Sequence, residues 1–379
     1  MSFGLYIHWP FCAAKCPYCD FNSHVRSAID EAGWAEAIAT EMTTVAAWQG
    51  EARPPVETVF FGGGTPSLMR PRALERVLAQ ARRLWRFAED VEITLEANPA
   101  SSEAARFADY AAAGVNRLSL GLQALNDADL KFLGRLHDVR EAKAALAMAQ
   151  NVFPRVSIDL IYARPSQSVE AWRAELAEAL AFGTEHLSLY QLTIEPATPF
   201  AAWHRKGAFQ VPNEDRAAAL YEATQEIAEA AGLPAYEVSN HARTGAKARH
   251  NLIYWRYGDY AGFGPGAHGR LEIAGKRYAS VGECLPERWR DKVARDGHGY
   301  VERNEIAPQD SAREHLLMNL RLREGIDLEA YRARWGFAPD PARIAALTQA
   351  GLLESQDGRL AATRRGMLVL NHVIAELAD

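Results

Sequence analysis

The chain has 379 residues and only four cysteines. That is too few for a disulfide scaffold, and three of them crowd into one short stretch as Cys12, Cys16 and Cys19. A bridge within that trio leaves an odd thiol and needs an oxidising compartment. The fourth, Cys284, stands far away and reads as a small core or surface residue. No apolar run reaches the roughly 18 residues of a membrane span. Met1–Trp9 lacks the basic start and the apolar run of a signal peptide. The expected compartment is the cytoplasm, with room left for a peripheral membrane contact. Basic residues are not in excess: 42 Lys and Arg face 48 Asp and Glu, a net charge of −6. That balance argues against a nucleic-acid partner. Internal repeats and low-complexity linkers are absent too.

What is present is ordinary globular material, 48% hydrophobic and 24% charged. The length suits two domains, or one large α/β domain with appendages, and supports an independent core. Strand-like apolar runs fall at 5–8, 57–61, 91–95, 115–120, 156–161 and 186–192. Helical periodicity separates them, over 29–48, 71–85, 102–113, 127–133, 140–150 and 169–182. The helix at 102–113 is expected to start on a Ser N-cap and stop at Gly114. Alternating β and α units predict an α/β fold with a parallel sheet, open or closed into a partial barrel. In either form ligands gather at the C-terminal ends of the strands. The cysteine loop, Gly62-Gly63-Gly64, Glu96, Gln123, Asp159 and Tyr190–Glu195 all fall at those ends, so they are expected to form one site.

After Trp203 the rhythm changes. A helix is expected over 213–231 and a strand over 236–238. A polar, basic loop follows, S-N-H-A-R-T-G-A-K-A-R-H-N, then L-I-Y-W-R-Y-G-D-Y and G-F-G-P-G-A-H-G. Helices at 310–322, 327–335 and 342–350, a strand pair around Leu353 and Leu360, and a last helix at 363–377 resemble a winged-helix module. The organisation read from this is 1–235, 236–300 and 301–379, the last part mostly helical.

The spacing C-x3-C-x2-C has a chemical reading. Iron–sulfur clusters are held by cysteine thiolates, usually four. Three on one tight loop hold three irons of a [4Fe–4S] cube and leave the fourth iron open to a small molecule. The rival is zinc, with His8 or His24 completing a set of three cysteines and one histidine. Gly62-Gly63-Gly64-Thr65-Pro66 follows a strand but lacks the Lys-Ser/Thr of a P-loop. It reads either as a tight turn or as glycines that let backbone meet a small zwitterion at the open iron.

Together the C-x3-C-x2-C loop, G-G-G-T-P and the strand order resemble the radical S-adenosylmethionine (SAM) enzymes. The resemblance implies a partial (β/α)6 barrel, a [4Fe–4S] cluster on Cys12, Cys16 and Cys19, and SAM chelating the open iron. Y-I-H-W-P-F-C, G-V-N-R-L-S-L-G-L-Q, L-G-R-L-H, D-L-I-Y and the C-terminal segment resemble the coproporphyrinogen dehydrogenase (HemN) group over nearly the whole chain. By position this implies Tyr6 near the methionine end and Gly63, Gly64 and Thr65 at the amino group. It also implies Glu96, Gln123, Arg135 and Asp159 around the carboxylate and ribose. An Arg135–Asp159 ion pair and a strand-end cap at Gln123 are the plainer alternatives.

Two departures separate the chain from the dehydrogenase. Phe21 stands where that enzyme carries a fourth cysteine, and Cys12 follows the start almost at once. Both match the haem-chaperone (HemW) subfamily, as does His250-Asn251-Leu252-Ile253-Tyr254-Trp255, which fits its H-N-x-x-Y-W signature. A further departure, A-R-P-S-Q after Tyr162, bears on a local turn. A histidine can ligate haem iron, and Tyr254 and Trp255 offer aromatic faces to a porphyrin. Arg243, Lys247 and Arg249 can pair with propionates. The plainer reading makes His250 and Asn251 a hydrogen-bond network and Trp255 core. His241 and His268 are rival iron ligands. The resemblance implies a haem carrier that serves haem-requiring respiratory proteins and forms a homodimer. Rival readings are coproporphyrinogen III oxidative decarboxylation, radical-SAM chemistry on another substrate, and a DNA-linked regulator.

Overall fold

The computed structural model describes residues 2–51, 53–356 and 358–378. Six strands carry the first half: β1 Phe3–Trp9, β2 Val56–Gly63, β3 Phe87–Ala97, β4 Arg117–Gln123, β5 Arg155–Tyr162 and β6 His186–Gln191. They pair in sequence order, all parallel. Helices α1 Glu31–Gln49, α2 Pro71–Leu84, α3 Val139–Val152 and α4 Val169–Ala181 lie between them. Strands covered on both faces read as continuous apolar runs. In β1 six of seven residues are buried. The helices start where a side chain can take a free N–H: Asp30 accepts from Gly33, Ser168 from Ala171, and Asp138 forms a capping box with Glu141. This is the expected partial (β/α)6 barrel.

The sheet continues past those six strands. Helix α5 Glu214–Ala230 leads to β7 Asn240–Ala242, antiparallel to β6. Helix α6 Arg249–Trp255 then leads to β8 Asp259–Phe263, which pairs parallel with β1 on its free side. Strands β9 His268–Ile273, β10 Lys276–Gly282 and β11 Tyr300–Glu305 extend that edge antiparallel. Residues 236–300 thus contribute strands to the same 11-stranded sheet.

Three local expectations change. The strand expected at 236–238 is a turn, with the strand at Asn240–Ala242. Tyr236 N–H donates to the Asn240 carbonyl, and the buried Glu237 carboxylate takes the N–H of Ser239. The helix expected at 102–113 is two pieces, Ser101–Ala104 and Phe107–Ala112, with no side-chain cap. The break lets Glu103 turn inward to Ser67 and the Asn98 N–H, while Arg106 reaches the Leu68 carbonyl at 3.0 Å. The last helix is also two pieces, Arg364–Leu368 and Leu370–Ala378, broken at Val369. Around it the helices Pro308–Asn319, Leu328–Trp335 and Pro341–Gln349 and the strands Ile326–Asp327, Leu353–Gln356 and Arg359–Ala362 enclose a separate apolar core.

One buried carboxylate ties the barrel to the sheet extension. Glu41 of α1 is fully buried and accepts from Gly264 N–H at 2.9 Å, Gly299 N–H at 2.8 Å and Trp289 Nε1 at 3.2 Å. Trp289 stacks on Trp34 of the same helix. Each buried donor left without its acceptor costs about 1–3 kcal/mol. Glu41→Ala is therefore expected to lower unfolding stability by about 3–5 kcal/mol in urea titrations. A loss below about 1 kcal/mol would show that water replaces the carboxylate.

Candidate functional site

The C-terminal ends of the parallel strands surround a cavity of about 340 Å³. Its lining includes Cys12, Cys16 and Cys19 together with Glu96, Gln123 and Asp159. Gly63, Gly64, Thr65, Asn98, Arg135 and Phe21 belong to the same lining. The sequence-predicted SAM-side residues thus come together, with one exception: Tyr6 is absent from the lining. Its hydroxyl meets His8 Nδ1 at 3.0 Å, and its ring stacks on Phe60 and His250.

Backbone geometry explains the cysteine loop. Pro10 ends β1, and the chain runs out through Phe11–Cys12, beside which His24–Val25 pairs in parallel once the loop is complete. The glycine segment closes on the start of that loop: Gly64 N–H donates to the Trp9 carbonyl at 2.7 Å and Thr65 N–H to the Phe11 carbonyl at 2.9 Å. Gly63 N–H donates to Glu96 at 3.3 Å. All three N–H groups are therefore engaged within the protein. Glycine is needed at 63 because φ is +108° and a Cβ would stand 2.6 Å from the His8 ring.

Hydrogen-bond donors point at the thiols. Thr65 Oγ1 donates to Cys12 Sγ at 3.3 Å, and Arg135 donates to Cys16 Sγ at 3.6 Å. Asn98 joins these two donors, giving its amide hydrogen to Thr65 at 3.1 Å and accepting from Arg135. Arg135 also reaches the Gly121 carbonyl, and its buried Nε has no partner among the described residues. Asp159 accepts from Ser119 at 3.2 Å. Burial, and next the charge of Asp159, push the Glu96 carboxyl up to about 8, against the pull of Gly63 N–H and Arg117. Gln123 sits in left-handed conformation, φ +69°, just past a register shift in β4. Asn98 was hidden in the sequence: its place two residues past Glu96 at a strand end is the only signal.

The histidines of the zinc rival are committed elsewhere. His8 Nε2 meets the Asn22 carbonyl at 2.9 Å, and His24 meets Asn22 and the Cys284 carbonyl. Among the described residues no three His, Cys, Asp or Glu side chains stand close enough to share one metal ion. A cube asks each thiolate to meet a different iron, so separated sulfurs facing one cavity suit it.

The signature residues lie apart from this cavity. His250 is buried in α6, with Nδ1 2.6 Å from Thr58 Oγ1 and Nε2 2.7 Å from the Tyr254 hydroxyl. Burial pushes its imidazole down to about 3. Asn251 reaches Tyr236, and the Trp255 carbonyl accepts from Asn319. Arg249 pairs with Asp90 at 2.9 Å and Lys247 lies 3.9 Å from Glu324, while Arg243 is exposed. His241 is buried in β7 with Gln225 beside it, and His268 is exposed at the start of β9.

The chain matches the radical SAM superfamily over residues 6–179 and the HemN C-terminal domain over 306–369. It is 36% identical to the haem chaperone HemW of Escherichia coli, over 98% of this chain and 97% of that protein. The chain belongs to the HemW group of the radical SAM superfamily. It is also 38% identical to the mitochondrial radical SAM domain-containing protein 1 of Bos taurus, covering 99% of this chain and 87% of that one. Its fold matches coproporphyrinogen III oxidase (HemN) of Escherichia coli, described as a radical SAM enzyme. The TM-score is 0.84 over 100% of this chain and 90% of that one, at 22% identity. Neither family model reaches the H-N-x-x-Y-W stretch. Among the described residues no helix is long and apolar enough to cross a membrane.

The superfamily implies a [4Fe–4S] cluster and SAM, and the donor set fits both. Thiols that receive hydrogen bonds suit cluster ligation, and a half-buried lining of carboxyl, amide and guanidinium groups suits a small polar zwitterion. Cys16→Ser is expected to abolish the broad visible absorption of anaerobically reconstituted protein while leaving far-ultraviolet circular dichroism unchanged. A full iron complement in that variant would remove Cys16 from the ligand set.

Proposed function

We propose that this chain is a radical-SAM-type haem chaperone. It holds a [4Fe–4S] cluster on Cys12, Cys16 and Cys19, binds SAM beside it, and binds haem for delivery to haem-requiring respiratory proteins. The observation that carries the cluster and SAM parts is the shared cavity, lined by three thiols together with Glu96, Gln123 and Asp159. The haem part rests on the full-length likeness to proteins named haem chaperones. A bound cluster supplies single electrons at its open iron. Thr65 and Arg135 steady the sulfur side, and Glu96 and Asp159 offer acceptors to ammonium and ribose hydroxyls. Residues 1–235 form the radical-SAM part, 236–300 carry the haem signature, and 301–379 form the C-terminal domain. We place the chain in the cytoplasm as a homodimer.

A second reading, coproporphyrinogen III oxidation, draws on the whole-chain fold match to HemN. Phe21 stands against it, as a 58%-exposed phenyl ring on the cavity lining where that enzyme carries a cysteine. An anaerobic assay with SAM and reductant separates the two. Haem binding without decarboxylated porphyrin supports the chaperone; many turnovers of decarboxylated product make the chain an oxidase.

The haem ligand we propose is His250, which must release Tyr254 to offer Nε2. A neutral hydrogen bond contributes about 1 kcal/mol net, so Tyr254→Phe is expected to tighten haem binding about fivefold. His250→Ala is expected to weaken it more than about tenfold, the equivalent of about 1.4 kcal/mol, with SAM binding unchanged. Absorbance titration reads both. Unchanged affinity in both variants moves the ligand to His241 or His268.

A further inference from the structure

The G-F-G-P-G run at 262–266 has no part in the function so far, yet it touches the far end of the cysteine loop. Asn22, three residues past Cys19, gives both side-chain amide hydrogens to carbonyls outside the loop. They go to Pro265 and Cys284, each at 2.9 Å. Its Oδ1 meets His24 Nε2 at 3.1 Å. Two carbonyl acceptors and one imidazole donor fix the orientation of this amide. Gly266 lies flush against it: φ is +76°, and a Cβ would stand 2.5 Å from Asn22 Nδ2. Gly264 in the same turn is held by Glu41.

The backbone of Asn22 is held as well. Its carbonyl can only accept, so His8 carries its proton on Nε2. Nδ1 then accepts from the Tyr6 hydroxyl, whose ring stacks on His250. We infer that Asn22 and His8 are positioning residues: with the Pro265–Gly266 turn they clamp the far limb of the cysteine loop, while the glycine segment clamps its start. The clamp sets the loop shape on which cluster retention depends, and in that respect it rests on the cluster assignment above. It also makes the stretch 262–284 a working part of the radical-SAM site.

The test uses the full chain without cluster. Amide hydrogen exchange over residues 10–25 reports the bonds from His24 N–H to Pro10 and from Cys19 N–H to Cys16. Asn22→Ala, and Asn22→Asp, which sets a carboxylate against two carbonyls, are expected to speed exchange there at least about tenfold, with the melting temperature unchanged. His8→Gln keeps a donor near Nε2 and is expected to retain protection. His8→Asn, with its amide near Nδ1, is expected to lose it. After reconstitution, the loosened variants should yield iron to a chelator faster by about the same factor, and His8→Gln should not. Unchanged exchange in both Asn22 variants would overturn the clamp, as would equal loss in His8→Gln and His8→Asn. If the parent takes up no cluster, the functional reading fails while the exchange data still judge the clamp.

Discussion

The hydrogen bonds from Gly64 to Trp9 and from Thr65 to Phe11 are the constraint on which the site depends. They extend the pairing of β1 with β2 beyond the sheet and into the cysteine loop. The three cysteines are half exposed, and the loop's own bonds are few, Cys19 N–H to Cys16 and Lys15 to the Phe21 and Ser23 carbonyls among them. Backbone bonding to a neighbouring strand fixes the loop's shape at modest cost. The N–H groups would otherwise face water, and glycine at 64 lets the chains close to the distance such bonds need. Thr65 then falls within reach of Cys12, and Asn98 and Arg135 follow through Thr65. The order of cause runs from sheet register to loop, and from loop to sulfur environment.

The carboxyl groups of the cavity lining carry a different burden. Glu96 and Asp159 are two half-buried carboxyl groups near each other, and each is raised by desolvation. Their compensation is incomplete: Arg117 lies below them with a bond to Ser157, while Arg135 spends its bonds on Asn98, Gly121 and Cys16. The plainer alternative of an Arg135–Asp159 ion pair therefore gives way to an arrangement in which the guanidinium serves the sulfur side. A wall with unmet capacity for cations and hydroxyl donors is costly to fold around. It is intelligible as a surface completed by a ligand.

The six parallel strands and their helices were legible because each buried strand announces itself locally, as V-F-F or L-S-L-G-L, and each helix by its own period. The cysteine loop, the glycines, Glu96, Gln123 and Asp159 followed from position, since polar residues at strand ends share one rim, whereas Thr65 and Arg135 came from the family resemblance and Asn98 from neither. What was not legible depends on partners distant in sequence. Strand β8 belongs beside β1, more than 250 residues earlier in the chain, and D-Y-A-G-F carries no mark of that neighbour. The helix break at 105–106 lets Glu103 meet Ser67 and Asn98, partners that lie outside its own helix. Asn22 carries no local mark of its role, because both carbonyls it serves lie beyond residue 260.

The same distance problem governs His250. In sequence it is a histidine in a polar loop with aromatic neighbours, a fair description of a haem ligand. In the fold it is a buried helical residue with both nitrogens bonded and its ring against Phe60 and Tyr6. These descriptions conflict only if α6 is fixed. A neutral imidazole whose Nε2 is held by one tyrosine hydroxyl is close in energy to one whose Nε2 is free, because that bond contributes about 1 kcal/mol net. An iron–imidazole bond outweighs it. On the proposed His250 ligation the barrier would instead be the packing of α6 against β1 and β2, which a porphyrin would have to open. Since Tyr6 joins His250 by stacking to His8, and His8 holds Asn22, movement at the signature helix reaches the cysteine loop through direct contacts. A carrier that must hold haem and later release it gains from that connection. An enzyme whose substrate enters only at the cavity has no use for it.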